Sequence, residues 1–375
     1  MGKLNKLFEY GQSYWLDYLS RDLIKDGTLK KRVENEGLRG ITSNPVIFHK
    51  AISGNNLYDE QIKALSDQGK TTEEVYESLV IKDIQDACDI LRPVFDSSEG
   101  LDGYVSLEVS PHLARDTEGT KKEARRLFRE VDRPNCFIKI PGTKEGVPAI
   151  EEMLYEGINI NITLLFSIES YEVVARAYQN ALERRISEGK DIKHVASVAS
   201  FFLSRIDILT DKILKEKIIP SLTGSKKTLA ENLLGETAIA SAKIAYSKYK
   251  EIFSGEQWAK LTLNGAKAQR LLWASTSNKT EGYRDTRYVE PLIGVNTVNT
   301  MPEVTIDAFN DHGKLIKDTI EKDLDHAFNV FLELDQTGVD ISEITEQLVE
   351  EGIDKFIKPY DQLLQSLEEK LLNVH

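Results

Sequence analysis

The chain lacks the features that mark secreted and membrane-spanning proteins. Among 375 residues there are only two cysteines, Cys88 and Cys136, and they lie too far apart to form a metal-binding or redox motif. So few cysteines favour a reducing compartment, and we therefore expect a cytoplasmic protein. No stretch approaches the ~20 apolar residues of a membrane span, and the first residues lack the apolar run of a signal peptide. We therefore expect no membrane partner.

The chain also lacks an excess of basic residues and the common motifs for metals and nucleotides. It carries 48 basic and 61 acidic residues, a net charge of -13, whereas nucleic-acid binding needs a basic face. A small phosphorylated substrate needs only a local basic pocket and is not excluded. The six histidines are scattered, and neither a Walker loop nor a GxGxxG motif occurs. We therefore predict no nucleic-acid partner, no metal site and no cofactor.

What the chain does contain is an alternation of strand-like and helix-like segments, repeated about eight times. Short segments rich in β-branched and aromatic residues lie at 14–19, 38–42, 103–109, 136–141, 158–165, 194–202, 269–274 and 295–301. Helical patterns fill 21–36, 57–92, 118–129, 144–156, 168–187 and 203–253, the last with a break around 220–225, and they continue beyond residue 303. This alternation predicts an α/β fold, a (β/α)8 TIM barrel with additional helices, mainly C-terminal. We expect a single domain over residues 1–375, with a helical extension at 303–375 packed on the barrel.

The fourth predicted strand carries a lysine close to its end. In residues 136–141, alternation places Phe137 and Lys139 on one face and Ile138 and Ile140 on the other. A lysine in a partly desolvated barrel mouth can supply a free amine, the species that attacks a carbonyl to form a Schiff base. The alternative is a strand-end lysine whose ammonium group extends to water. Polar residues on the other strands help to decide between these two interpretations.

Several other predicted strands also end in polar side chains. In a (β/α)8 barrel, chemistry takes place at the carboxyl ends of the strands, on their inward faces. Alternation places Glu108 inward on the third strand, and Asn161 and Thr163 inward on the fifth. Asp17 lies late on the first strand, and Asn44 follows the second. Together with the lysine, these residues are predicted to converge at one mouth of the barrel.

Each of these residues also has a simpler explanation. Asn44 precedes a proline and could only shape a turn, and Asp17 could cap the helix that follows it. Thr163 could be an ordinary strand threonine, and Glu108 could serve only as the ion-pair partner of the lysine on the adjacent strand. The coincidence of five polar strand ends favours a catalytic site over these separate explanations.

These residue types allow covalent imine catalysis. Lys139 would be the nucleophile, and Glu108 would move protons during dehydration of the carbinolamine and later hydrolysis, directly or through a water held by Thr163. Asp17 would take the hydroxyl proton that must leave when a carbon–carbon bond breaks. The two inward asparagines would hold substrate hydroxyls.

At these positions the chain resembles the transaldolase family. The stretches that carry the resemblance are Gly-Ile-Thr-Ser-Asn-Pro at 40–45, Ser-Leu-Glu-Val at 106–109, Phe-Ile-Lys-Ile-Pro at 137–141, Asn-Ile-Asn-Ile-Thr-Leu-Leu-Phe-Ser at 159–167, Ala-Ser-Phe-Phe-Leu-Ser-Arg-Ile-Asp at 199–207 and Leu-Leu-Trp-Ala-Ser at 271–275. They follow the family's order and span roughly residues 10–310. The length and the helical tail resemble the larger bacterial and plastid-type subfamily.

The resemblance implies a class I aldolase barrel that transfers a dihydroxyacetone unit from sedoheptulose 7-phosphate to glyceraldehyde 3-phosphate. The products would be erythrose 4-phosphate and fructose 6-phosphate, in the non-oxidative pentose phosphate pathway. It implies that Lys139 forms the Schiff base, that Glu108 and Thr163 handle water, and that Asp17 is the acid and base of bond cleavage. The residues that it places around the sugar phosphate are Thr42, Asn44, Asn161, Ser200 and Phe202, with Arg205 and Ser275 at the phosphate.

The chain departs from the family at the phosphate end. Many members carry an arginine after the seventh strand, whereas residues 275–279 read Ser-Thr-Ser-Asn-Lys here. Lys279 could substitute as a point charge without a bidentate fork, so Arg205 is expected to carry most of the phosphate binding. The alternative for Arg205 is an ion pair with a helix carboxylate such as Asp207.

Two other functions stay open at this point. A class I aldolase, a lyase, would use the same imine chemistry but would release free dihydroxyacetone or cleave another sugar. A catalytically silent barrel would act as a binding or scaffold protein. The chain length and the tail favour the transferase over the lyase, and the intact lysine, glutamate and aspartate argue against a silent scaffold. The sequence is compatible with a monomer or a homodimer.

Overall fold

The structure of the protein, a computed structural model, describes residues 2–373 and confirms the predicted (β/α)8 barrel. Eight parallel strands pair in chain order, and the barrel closes because β8 is hydrogen-bonded to β1. The strands are β1 (Gln12–Leu16), β2 (Gly40–Ile41), β3 (Tyr104–Glu108), β4 (Cys136–Pro141), β5 (Ile160–Leu165), β6 (Ser197–Phe202), β7 (Arg270–Ala274) and β8 (Thr297–Met301).

Helices surround the barrel and continue beyond it. Those before β5 are α1 (Lys3–Glu9), α2 (Arg21–Lys25), α3 (Thr28–Glu36), α4 (Pro45–Ser53), α5 (Asp59–Ser66), α6 (Thr72–Ser97), α7 (Thr117–Val131) and α8 (Gly146–Glu156). Those after β5 are α9 (Ile168–Ser187), α10 (Ser204–Ile213), α11 (Gly224–Asn232), α12 (Thr237–Ile252), α13 (Glu256–Leu263), α14 (Glu303–His312), α15 (Leu324–Thr337) and α16 (Ile341–Asn373). Among residues 2–373, we find no helix with the length and apolar character to cross a bilayer.

The helical tail packs against the barrel rather than standing apart from it. Helix α15 packs on α12, and α16 packs on α4, α6, α10 and β5. Because α4 and α10 begin where β2 and β6 end, α16 passes beside the carboxyl-terminal mouth of the barrel. The last two residues of the predicted tail, Val374 and His375, lie outside the described residues. The single-domain organisation stays a prediction.

The barrel interior is filled in layers, as the predicted alternation requires. The inward ring of Phe137 on β4 stacks on Tyr104 of β3, with centroids 4.0 Å apart, and on Trp15 of β1, with centroids 6.2 Å apart. Two residues further along β4, Lys139 lies in register with Glu108 of β3. The aromatic layer therefore forms a packed floor beneath the lysine.

Local backbone chemistry explains where the predicted helices were wrong. The helix predicted at 21–36 is two helices, because Gly27 adopts a left-handed φ of 79° between them. The helix predicted at 57–92 is likewise broken, with Gly69 at a φ of 71°, and its second part runs on to Ser97. Helices α1, α4 and α13 were not predicted. The N-terminus of α4 carries a recognisable signal, since Asn44 caps it and Pro45 occupies its first position.

Candidate active site

A cavity of about 310 Å³ opens at the carboxyl-terminal mouth of the barrel. Its volume suits a small metabolite. The predicted site residues that line this mouth cavity are Asp17, Thr42, Asn44, Lys139, Ser200, Phe202, Arg205, Ser275 and Lys279. The other predicted site residues, Glu108, Asn161 and Thr163, lie on β3 and β5 beside the lysine strand. The structure thus brings the predicted set together at one end of the barrel.

Lys139, which lines the mouth cavity, forms a buried pair with Glu108 of β3, which lines an adjoining cavity. The Lys139 Nζ donates to Glu108 Oε2 at 3.3 Å and to the Ser43 carbonyl oxygen at 3.2 Å, and both paired side chains are 5% exposed. Burial raises the pKa of Glu108, although the positive charge of Lys139 opposes the shift. The other carboxylate oxygen, Oε1, accepts no hydrogen bond from residues 2–373. The predicted ion pair is therefore present, and it leaves one oxygen of Glu108 free to accept a further hydrogen bond.

Asp17 lies directly after β1 rather than on it, and it faces the mouth cavity. Its Oδ1 accepts a hydrogen bond of 2.7 Å from Thr42 Oγ1, which also lies 2.7 Å from Thr300 Oγ1. Burial raises the pKa of Asp17, while the Thr42 hydrogen bond and the positive charges around the mouth oppose this. The alternative of a helix cap is wrong, because α2 begins only at Arg21, after Ser20.

Asn44 both lines the mouth cavity and caps a helix. Its Oδ1 accepts a hydrogen bond of 3.1 Å from the Ile47 amide and so caps α4, while the residue also lines the cavity. The preceding Ser43 donates its hydroxyl to the Ser106 carbonyl oxygen at 2.7 Å. This bond fixes the segment between β2 and α4 against β3. The explanation that Asn44 only shapes a turn is therefore incomplete.

Asn161 and Thr163 occupy different environments on β5. Asn161 lies in register with Lys139, donates to Ser106 Oγ at 3.0 Å and accepts from Ser200 Oγ at 2.7 Å. Its amide therefore holds Ser200 in place at the edge of the cavity. Thr163 is fully buried, and its hydroxyl forms no hydrogen bond with the described part of the chain. A buried, unpaired hydroxyl is a suitable partner for a bound water.

Arg205 lies in the first turn of α10, at the edge of the cavity. Its Nη1 is buried, and no hydrogen bond joins it to any residue between 2 and 373. Burial lowers the pKa of Arg205, but a guanidinium stays charged in proteins. The alternative of an ion pair with Asp207 is wrong, because the Asp207 carboxylate is occupied by other donors. It accepts a hydrogen bond of 2.7 Å from the Ala238 amide and one of 2.8 Å from the Tyr288 hydroxyl. A buried charged donor without a partner is costly, and an anion at this point would satisfy it.

Ser275 and Lys279 complete the rim next to Arg205. Ser275 follows β7 in a left-handed conformation, with φ at 55°, which is uncommon for a residue other than glycine. Two hydrogen bonds hold this conformation, since the Ser204 amide donates to the Ser275 carbonyl oxygen at 3.1 Å and the two hydroxyls share a bond of 2.7 Å. Such strain concentrates at ligand sites when the surroundings enforce it.

The mouth cavity is positively charged although the protein is acidic overall. Lys50, Lys139, Arg205 and Lys279 line it, whereas Asp17 is its carboxylate, and the whole chain carries a net charge of -13. A narrow cleft of one sign attracts a ligand of the opposite sign. Between Gly2 and Asn373 there is no group of three acidic, histidine or cysteine side chains suited to a metal ion. The cavity therefore fits a small anion.

Some residues of the cavity were missed by the sequence reasoning. They are Val46, Ile47, Lys50, Ala274, Thr276, Ser277, Thr300, Pro302 and Phe356. Alternation on β8 groups Thr300 with Val298 on one face but does not show which face is inward. The structure pairs Thr300 with Trp15, whose ring packs on the inward Phe137. Lys50 and Phe356 lie on helices α4 and α16, and nothing in their local sequence indicates which side of the helix meets the cavity.

Comparison with known proteins gives the family. Residues 14–367 match the family described as Transaldolase/Fructose-6-phosphate aldolase. The chain is 50% identical over 373 residues to Transaldolase 2 of Nostoc punctiforme, an alignment that covers 98% of this chain and 97% of the relative. It is 51% identical over 363 residues to the transaldolase of Trichodesmium erythraeum, covering 96% and 95%. A transaldolase of Parafrankia is 47% identical over 368 residues, covering 98% of each chain. The chain belongs to the transaldolase/fructose-6-phosphate aldolase family of enzymes.

Proposed function

We propose that the protein is a transaldolase that moves a dihydroxyacetone unit between sugar phosphates through a Schiff base on Lys139. The observation that carries this proposal is the buried side-chain nitrogen of Lys139, 3.3 Å from Glu108, in a cavity that is also lined by Arg205, whose Nη1 has no hydrogen-bond partner among residues 2–373. Full-length similarity to transaldolases supports the same reaction. In the proposed pathway, the non-oxidative pentose phosphate pathway, the substrates would be sedoheptulose 7-phosphate and glyceraldehyde 3-phosphate.

The covalent step begins at the amine. The Lys139 amine attacks the ketose carbonyl, and the carbinolamine loses water to give an iminium ion. Glu108 accepts and returns the protons of this step, with Thr163 holding the water that leaves and later re-enters. Burial suits Glu108 to this work, because a raised pKa lets the carboxyl group carry a proton nearer neutral pH.

Cleavage of the carbon–carbon bond needs a second proton acceptor, which is Asp17. Asp17 takes the proton of the hydroxyl next to the breaking carbon–carbon bond, and the electrons of that bond pass into the iminium to give an enamine. The aldehyde product leaves, and the enamine attacks the acceptor aldehyde while Asp17 returns the proton. Thr42, Asn44 and Ser200 are placed at the cavity wall where they can hold the sugar hydroxyls. In this arrangement Asn161 acts on the substrate through Ser200.

The direct test is a transfer assay with fructose 6-phosphate as donor and erythrose 4-phosphate as acceptor. We expect sedoheptulose 7-phosphate and glyceraldehyde 3-phosphate in equal amounts. Free dihydroxyacetone in place of the seven-carbon product would identify a lyase, and the absence of any product would favour a silent scaffold. The cytoplasmic location and the choice between monomer and homodimer stay predictions of the sequence.

Removing Arg205 should weaken the binding of phosphorylated substrates selectively. We expect Arg205→Ala to raise the KM for fructose 6-phosphate by about 10- to 100-fold, because a charge-assisted hydrogen bond contributes roughly 1.5–3 kcal/mol. The rate with unphosphorylated fructose should barely change. Lys279→Ala should show the same pattern with a smaller effect that weakens as salt is added, as a screened point charge does. Equal harm to both kinds of substrate in Arg205→Ala would mean that the residue is structural.

The pH profile should report the ionisation of Asp17. Because burial raises the pKa of Asp17, its carboxylate is lost as the pH falls through a value above the usual range for aspartate. Activity should fall at that same point. Thr42→Val removes a hydrogen bond that favours the carboxylate, so it should move this acid limb of kcat/KM to higher pH. Thr300→Val is the matched control, since it leaves the bond to Asp17 in place. Identical acid limbs for the two variants would contradict the assignment.

A further inference from the structure

A phenylalanine from the helical tail forms part of the cavity wall. Phe356 of α16 is 3% exposed and lines the mouth cavity. Its ring centroid lies 5.6 Å from Lys139 Nζ and 5.9 Å from Arg205 Cζ. The ring is thus close both to the nitrogen that would become the imine and to the guanidinium at the phosphate end.

The chain is built to let α16 approach this closely. One turn before the phenylalanine, Gly352 faces Leu164 of β5, where a Cβ atom would lie 2.8 Å from Leu164 Cδ2 and 3.6 Å from Arg205 Nη1. Leu164 has a φ of 59° at an irregularity in the pairing of β5 with β6, which interrupts the alternation of the strand. The absence of a side chain at residue 352 therefore seats α16 against the barrel mouth.

Side-chain contacts also hold α16 before and after Gly352. Arg115 pairs with Glu350, and His112 lies 2.7 Å from Asp361. Both partners lie in the segment between β3 and α7, which follows the strand that carries Glu108. The ring is consequently a fixed part of the wall.

In the proposed reaction, the bound enamine has two possible fates, and the cavity wall near Lys139 can influence which one it takes. A bound enamine can attack an acceptor aldehyde, which completes transfer. Alternatively its carbon takes up a proton to form the iminium, water adds to the iminium carbon, and the carbon–nitrogen bond breaks to release dihydroxyacetone and the lysine amine. An aromatic ring beside the nitrogen cannot hydrogen-bond water as a polar wall would, and its face stabilises the cation against attack.

We propose that Phe356 sets the partition of the bound three-carbon unit between transfer and hydrolysis, by excluding water beside the imine nitrogen of Lys139. This inference rests on the proposed function. It gives the C-terminal helix a specificity-determining role at the active site in addition to packing.

The experiment compares variants for the ratio of free dihydroxyacetone to seven-carbon product, with fructose 6-phosphate as donor and erythrose 4-phosphate as acceptor. In Phe356→Ala we expect this ratio to rise about tenfold, equivalent to ~1.4 kcal/mol of barrier. Phe356→Leu keeps an apolar side chain and should stay close to the parent enzyme. Leu363→Ala removes a fully buried side chain two turns further along α16 and controls for loosening of the helix.

The outcomes separate the inference from the function on which it rests. An unchanged ratio in Phe356→Ala, in a parent enzyme that performs transfer, overturns the role of Phe356 alone. An equal rise in Leu363→Ala also overturns it, because loosening of α16 would then explain the effect. A parent enzyme that forms no seven-carbon product contradicts the proposed function itself. A rise confined to Phe356→Ala supports the inference, and thermal unfolding of each variant checks that it is folded.

Discussion

Replacing Lys139 by methionine is expected to abolish transfer, with a fall in kcat of about 10⁴-fold or more, as for loss of a covalent nucleophile. The methionine side chain fills a similar volume at the end of β4, so the aromatic floor below it should stay packed. What disappears is the amine, and without it no carbinolamine can form. The effect should appear in kcat and be equally severe with phosphorylated and unphosphorylated ketoses.

Two further variants test whether the amine of Lys139 is needed, rather than its positive charge or any lysine in the mouth cavity. Lys139→Arg keeps a cation beside Glu108 but offers no nucleophilic amine, so it should be as inactive as the methionine variant. Lys50→Met removes another lysine of the mouth cavity and should retain imine formation. Steady-state rates together with thermal unfolding curves provide the measurement. Substantial activity in Lys139→Arg would show that the residue contributes only its charge.

The two carboxylates should fail in different steps. Asp17→Asn should still form the imine but cleave the carbon–carbon bond slowly, because the hydroxyl proton has lost its acceptor. Glu108→Gln should slow the formation and hydrolysis of the imine, because proton transfer beside Lys139 is lost. Each substitution is expected to lower kcat by about 10²–10⁴-fold, the range of general acid–base catalysis. The carboxamides keep the size of each side chain, so the packing of the site should change little.

Single-turnover experiments distinguish these two failures. Rapid mixing with fructose 6-phosphate, followed by quenching, measures the covalent intermediate and the released aldehyde separately. In Asp17→Asn the intermediate should accumulate before the aldehyde appears, whereas in Glu108→Gln the intermediate itself should form slowly. Indistinguishable time courses for the two variants would contradict the roles assigned to them.

Strand alternation was sufficient to predict much of the candidate site from the sequence. The period of two in β3 and β4 placed Glu108 and Lys139 on the same inward face, and the structure joins them by a hydrogen bond. The rule that chemistry lies at the carboxyl ends of barrel strands brought Asp17 and Asn44 to the same mouth. These predictions succeed because strand geometry and barrel closure fix which side chains converge, whatever the helices do.

Where placement depends on tertiary packing, the sequence was a poor guide. The break at Gly27 arises from a left-handed turn that a helical pattern of apolar residues does not reveal. The position of Phe356 depends on how α16 seats against Leu164, which is decided by contacts far apart in the chain. Asn161 was correctly placed inward, but only the structure shows that Ser106 and Ser200 occupy its amide.

Borohydride trapping tests the central claim most directly. Sodium borohydride, added together with fructose 6-phosphate, reduces an imine to a stable secondary amine and so marks the lysine that formed it. We predict inactivation that requires the substrate and a mass increase confined to the peptide that contains Lys139, with no adduct in Lys139→Met. An adduct on another lysine, or an active enzyme that yields no adduct, would contradict the claim that Lys139 forms the Schiff base.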